Sequence, residues 1–281
     1  MAKKSKSKAV PSRKSRKPTQ AERADRHKLY QKAVQDTEFE FEFVDTTFTR
    51  LRGRTAHVLR EDFCGTANMC CEWVRRRTAN RAIGLDLDPE VLDWGLRENV
   101  GALKPSEQRR VQLVEGNVLT AELEPADLIL AMNFSYQCFK DRATLRRYFE
   151  RVREGLTDDG VLIMDSFGGY DAFRELRERT EHKRFTYIWE QARYDPVTGE
   201  ILCHIHFTFP DGSRLKRAFT YDWRLWTLPE LQELLYEAGF KRVTVYWQGT
   251  DEETGEGNGV FEPAEHGEAD PAWICFLSAE K

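Results

Sequence analysis

No apolar run in the 281-residue chain approaches membrane-spanning length, so no membrane partner is expected. The basic N-terminus lacks the apolar segment of a secretory signal, and a cytoplasmic location is expected. None of the six cysteines (Cys64, Cys70, Cys71, Cys138, Cys203, Cys275) forms a Cys-x-x-Cys pair, and two are adjacent. That is neither a zinc pattern nor a disulfide framework, and it suits a reducing compartment and small core residues. No internal repeat is evident. Residues 1–17 contain no acid but eight Lys or Arg. Removing these from the 43 basic residues leaves 35 against 47 acidic ones, a formal −12 on residues 18–281. A disordered basic arm on an acidic folded body is expected. Such an arm is either a solubilising extension or a contact for nucleic acid, though it has no aromatic residue for base stacking.

Apolar content of 40% and charged content of 32% fit a globular protein with one sizeable core or two small ones. Residues 19–36 are polar and helix-permissive. Residues 38–51 carry two periods at once: Phe39, Phe41 and Phe43 alternate, while Phe41, Val44, Phe48 and Leu51 repeat at helical spacing, and the longer repeat favours a helix. From residue 56 the pattern is regular. Strands are expected at 56–61, 81–86, 110–115, 127–132 and 161–165. Helices are expected at 66–78, from Asp88-Pro89 to Asn99, and from Asp141 to Leu156. Strands alternating with helices predict a parallel, doubly wound α/β sheet. Residues 183–222 then read as an antiparallel meander with turns at 195–199 and 210–212. Thr227-Leu228-Pro229-Glu230 opens a last helix that ends at Gly239. Strands at 241–247 and 272–278 close the chain, separated by a polar, acidic loop over 250–270 of a length that favours mobility.

The most informative stretch is Val58-Leu59-Arg60-Glu61-Asp62-Phe63-Cys64-Gly65-Thr66-Ala67. It reads as strand, tight turn at Gly65, then helix, and the next strand ends in Asp86, 21 residues beyond Gly65. This order is how an open α/β sheet holds an adenosine group: the small turn residue admits the ligand, and the acid accepts from both ribose hydroxyls. A lone glycine turn, an N-cap acid and an ordinary turn Asn are the bland alternatives for Gly65, Asp86 and Asn117. Glu61 and Asp62, two adjacent carboxylates at a sheet edge, need solvent, cations or a ligand.

Over residues 56–281 the chain resembles the class I S-adenosylmethionine-dependent methyltransferases. The resemblance implies a seven-stranded, mostly parallel sheet with a reversed last strand and a small antiparallel insertion after strand five. Glu61 stands where the family has an acid ending its first strand. Phe63 and Ala67 occupy the outer glycine positions of a Gly-x-Gly-x-Gly loop, of which only Gly65 survives, flanked by Cys64 and Thr66. Asp86 matches the ribose-binding acid, and Leu87 matches a side chain that packs on adenine. Asn117 and Val118 match the contacts to the adenine edge. Met132-Asn133-Phe134-Ser135-Tyr136 matches the fourth motif, where methyl group and acceptor meet. Asn133 is the candidate for orienting the acceptor. Tyr30 is a cofactor candidate because helices preceding this domain fold over the cofactor in the family. Asn133-Phe134-Ser135-Tyr136 is also similar to the Asn-Pro-Pro-Tyr motif of enzymes acting on planar amines, without either proline.

Charge and pattern give a disordered basic tail over 1–18 and a helical segment over 19–55; the resemblance implies a methyltransferase domain over 56–281, with the 183–222 insertion covering the acceptor site. The expected activity is methyl transfer to nitrogen or oxygen of a small molecule, with S-adenosylmethionine as cofactor. The alternatives are an RNA or protein methyltransferase guided by the tail, or a nucleotide-binding regulator without turnover. A nicotinamide oxidoreductase wants Gly-x-Gly-x-x-Gly, which Phe63 and Ala67 do not supply. Tyr187, Trp189, Tyr221, Trp223 and Trp226 make the meander aromatic, as either core or an acceptor pocket. His204 and His206 share a strand face without a clear third ligand, so no metal is expected. Cys138 is read as a structural thiol.

Overall fold

The computed structural model describes residues 16–251, 253–255 and 257–281. Three helices come first: α1 (Gln20–Arg23), α2 (Arg26–Ala33) and α3 (Thr37–Arg52). In α3 both sequence periods are used. Phe41, Val44 and Phe48 are buried against the sheet, while Phe43 stacks on Phe276 at 4.3 Å and Phe39 lies 5.7 Å from Phe261. Asp36 caps the helix through the Phe39 N–H, and Gly53, at φ 66°, ends it.

The alternating region follows as β1 (Val58–Asp62), α4 (Asn68–Arg76), β2 (Arg81–Asp86), α5 (Pro89–Glu98), α6 (Pro105–Gln108), β3 (Val111–Glu115), β4 (Ala126–Ala131), α7 (Arg142–Gly155) and β5 (Leu156–Gly168). Every residue of β4 is buried, as a central strand covered on both faces requires. The meander is β6 (Leu176–His182), β7 (Phe185–Tyr194), β8 (Glu200–Thr208) and β9 (Arg214–Arg224). It begins at residue 176 rather than 183. Apart from Leu176 the strand β6 is polar, and it is mostly exposed, so it shows no apolar alternation to read. Then come α8 (Leu228–Glu237), β10 (Arg242–Thr250), β11 (Gly257–Ala264) and β12 (Trp273–Glu280).

The main sheet has the order β3-β2-β1-β4-β5-β12-β10-β11. β1 to β5 are parallel, and β12 runs antiparallel to β5 and β10. The seven expected strands are present with β12 reversed, and β11 adds an eighth at the edge, antiparallel to β10. The 250–270 stretch therefore holds a strand where a loop was expected. The strand is mostly exposed, and its two glycines and proline read as loop rather than strand, which hides the pairing. Trp73, Phe48 and Met69 fill one face of the sheet, under α3 and α4. Tyr148, Phe149 and Trp226 fill the other, under α7 and α8. The strand order reverses between β1 and β4, which opens a crevice at their carboxyl ends. No helix among the described residues is long and apolar enough to cross a membrane.

Candidate active site

The loop after β1 is shaped by three alternate residues in the left-handed region: Phe63 (φ 58°), Gly65 (φ 52°) and Ala67 (φ 56°). These are the three positions of the Gly-x-Gly-x-Gly pattern. The backbone keeps the conformation that glycine favours although two of the side chains are not glycine. Asp86, ending β2, locks the loop by accepting the Gly65 N–H at 2.7 Å and the Asp88 N–H at 3.0 Å. Cys64 adds a backbone bond to Leu85. Thr66 is buried and accepts a hydrogen bond from Gln31 at 2.8 Å, which ties α2 to the loop.

The adjacent carboxylates have different fates. Asp62 is buried against Arg60, whose guanidinium makes two hydrogen bonds to it at 2.7 and 2.8 Å, and it accepts the Tyr148 hydroxyl at 3.0 Å. Its cation is thus supplied from within β1. Glu61 has no such partner among the described residues; it accepts the Cys70 N–H at 3.2 Å and contacts the Cys70 Sγ at 3.0 Å. Burial pushes its pKa up to about 7.

A second strained turn follows β4. Asn133 (φ 57°) and Phe134 (φ 58°) are consecutive left-handed residues. Their N–H groups donate to Asp165 on β5, each at 2.8 Å. Burial pushes Asp165 up to about 7, and the two backbone donors act against that rise. Among the described residues, five that are not glycine have positive φ: Phe63, Ala67, Asn133, Phe134 and Arg217. All lie in or beside the two cavities described next, where strain is most often retained for function.

The first cavity, of about 570 Å³, lies over the carboxyl ends of β1, β2 and β4. It gathers Tyr30, Glu61, Phe63, Cys64, Gly65, Thr66, Asp86, Met132 and Asn133 of the sequence candidates. Leu87, Asn117 and Val118 do not line it. Leu87 is 68% exposed, Asn117 accepts the Leu119 N–H in its own turn, and Val118 is packed into the core. The second cavity, of about 370 Å³, lies between the meander and the ends of β5 and β12. Tyr30, Asn133, Tyr221 and Trp223 line both, so the two meet there.

Four of the five aromatic candidates in the meander, Tyr187, Trp189, Tyr221 and Trp223, face the second cavity. Trp226 instead belongs to the core and donates to the Phe139 carbonyl. His204 bonds Thr220 at 3.0 Å and His206 bonds Glu190 at 2.7 Å. No cluster of His, Cys, Asp or Glu among the described residues could hold a metal. Cys138 lies on the wall of the first cavity. Sequence reasoning missed Asp165, whose one signal is an acid ending an apolar strand. It also missed β9 as a wall of the first cavity, where Arg217, Phe219 and Thr220 join the lining.

No protein-family model and no curated protein matches this sequence. Solved structures do. One is an S-adenosylmethionine-dependent methyltransferase from Clostridium acetobutylicum, at 17% identity and a TM-score of 0.65, covering 90% of this chain and 96% of that one. The fold is that of the class I S-adenosylmethionine-dependent methyltransferases. An S-adenosylmethionine-bound amino pentose methyltransferase from Micromonospora echinaspora matches at 15% identity and a TM-score of 0.64, over 91% of this chain and 96% of that one. A sugar N-methyltransferase from a Streptoalloteichus species matches at 16% identity and a TM-score of 0.61, over 97% and 98%. Relative to the seven strands expected of a class I methyltransferase sheet, this chain adds β11 at the edge and carries the β6–β9 sheet between β5 and α8.

Proposed function

We propose that this protein transfers a methyl group from S-adenosylmethionine to nitrogen or oxygen of a small-molecule acceptor. The observation that carries the reading is the meeting of the two cavities at Tyr30, Asn133, Tyr221 and Trp223. One has a glycine turn and a ribose-type acid; the other is aromatic and fits an acceptor. The likeness to an amino pentose methyltransferase and a sugar N-methyltransferase supports the same class of acceptor.

Gly65, with no side chain, admits the ligand to the loop, and Asp86 is placed for the ribose hydroxyls. Glu61 and Met132 border the methionine end, and Asn133 stands where the acceptor enters. The cofactor supplies a methyl group already activated for in-line displacement. The chain aligns the acceptor, leaves its lone pair free and excludes water. Tyr30 on α2 and Tyr221 on β9 close over the junction, their hydroxyls interacting. In this reading residues 56–281 carry the chemistry, 19–55 cover the cofactor and the insertion covers the acceptor. Six free cysteines support the cytoplasm as its location.

Thermal unfolding with S-adenosylmethionine, S-adenosylhomocysteine and NADH tests this. At a hundredfold excess over Kd, a ligand of the folded state adds about 2.7 kcal/mol of stability. A rise with both sulfur ligands but not NADH, reduced in Asp86→Ala, is expected; no rise with either would remove the cofactor assignment. The other reading, nucleic-acid binding through residues 1–17, falls mostly on residues 1–15, outside the described residues. It predicts salt-sensitive RNA binding lost on deletion of 1–17.

A further inference from the structure

The antiparallel sheet separates charge by strand alternation. Arg177 and Arg179 of β6 point to its outer side, where a groove also gathers Arg214, Lys216 and Arg217. Glu178, between them, lies on the other side of the strand and, though exposed to solvent, lines the second cavity. Among the described residues lining that cavity none is Lys, Arg or His, whereas Asp171 and Glu178 are acids. Asp171 is engaged with Arg174 at 2.7 Å. Arg177 and Arg179 are drawn to Glu190 and Glu181, and Glu178 has no ion pair among the described residues. Trp189 sits directly across the ladder from Glu178, with Tyr187 beside it, and Tyr221 stacks on Trp223 at 4.4 Å.

An unpaired carboxylate over aromatic faces attracts a cation twice, by charge and by the ring quadrupoles, and repels an anion. We propose that the second cavity takes a cationic amine as acceptor, held by Glu178 and the faces of Trp189 and Tyr187, and rejects acceptors bearing carboxylate or phosphate there. This rests on the methyl-transfer reading and names its substrate class. The bound ammonium loses a proton to water before its nitrogen attacks. The N–C bond forms as the C–S bond breaks, the electron pair stays on sulfur, and the product is again an ammonium. The same walls therefore suit substrate and product, and they also suit successive methylations.

Tryptophan fluorescence of the full chain, saturated with S-adenosylhomocysteine, is titrated with phenethylamine, phenethyl alcohol and hydrocinnamate at neutral pH. The amine is expected to bind about tenfold more tightly than the alcohol, and the carboxylate to bind least. Glu178→Gln should erase the amine's advantage while leaving the alcohol unchanged, and Glu178→Lys should turn the preference toward hydrocinnamate. Equal binding of amine and alcohol to the wild type, or an unchanged preference in both variants, overturns the proposal. Thermal stabilisation by S-adenosylhomocysteine is recorded on the same sample. Its absence overturns the methyl-transfer reading, and its presence without an amine preference overturns this one alone.

Discussion

The carboxylate of Asp165, on β5, accepts the backbone N–H of Asn133, at the end of β4, at 2.8 Å. Its other oxygen accepts the Phe134 N–H at the same distance. Two left-handed residues that are not glycine cost roughly 1–3 kcal/mol each, and this double acceptor holds them in place. Asp165→Asn leaves one acceptor oxygen and turns an amide donor toward the other N–H. We expect it to lower stability by about 2 kcal/mol. Turnover should fall by more than about tenfold, because Asn133 then shifts at the junction. Urea unfolding and a methylation assay check this, and wild-type values in both would remove Asp165 as a positioning residue.

Gly95 on α5 lies against the cofactor loop. A Cβ there would meet the Thr66 carbonyl oxygen at 2.6 Å and its carbon at 2.9 Å. Backbone cannot swing aside as a long side chain does. Gly95→Ala should cost about 1–3 kcal/mol and push the loop out of shape. S-adenosylhomocysteine affinity, read by calorimetry, should fall with it; a variant that binds normally would show the loop to be adaptable.

Gly65 gives the opposite case. A Cβ there would have nothing within 4 Å, so Gly65→Ala carries only the strain of its φ of 52°. The stability loss should be about 1 kcal/mol. The methyl group would stand in the first cavity, so ligand affinity should drop more steeply than stability. Equal, small losses in both would argue against cofactor approach at this turn.

Glu61 makes stability depend on pH. Its folded pKa, about 7, lies above the ordinary value of 4.5. The folded state therefore holds the proton more tightly, and the contribution is present below the ordinary value and lost as pH rises through about 7. Glu61→Gln cannot ionise. It should match wild type near pH 4 and exceed it by roughly 1–3 kcal/mol at pH 8. A sulfonium favours the ionised carboxylate, so S-adenosylmethionine, unlike its neutral thioether product, should bind more tightly as pH rises through this window. Parallel pH profiles for the two ligands would place Glu61 out of reach of the sulfur.

Local signals explain how much was legible from the chain alone. The buried apolar run of β4, the Asp88-Pro89 start of α5 and the capping box at Thr227 act within a few residues, and the structure follows them. The order of strands and helices follows from the same signals, because a parallel sheet needs its crossovers. The positions of Gly65 and Asp86 belong to this class too.

Only tertiary structure decided the rest, because it depends on groups far apart in sequence. The pairing of β11 with β10 is made by backbone, which a strand rich in glycine and broken by proline does not advertise. Asn117 was free, by sequence, to face either ligand or its own turn, and it bonds Leu119. Arg60 shares a strand face with Asp62 by local geometry, but the Tyr148 hydroxyl reaches Asp62 from α7, 86 residues along the chain, only through packing. Asp165 became the clamp on Asn133 because β4 and β5 are neighbours in register. The chain specified its elements through local hydrogen bonding and hydrophobic period; the site arose where packing brought their ends together.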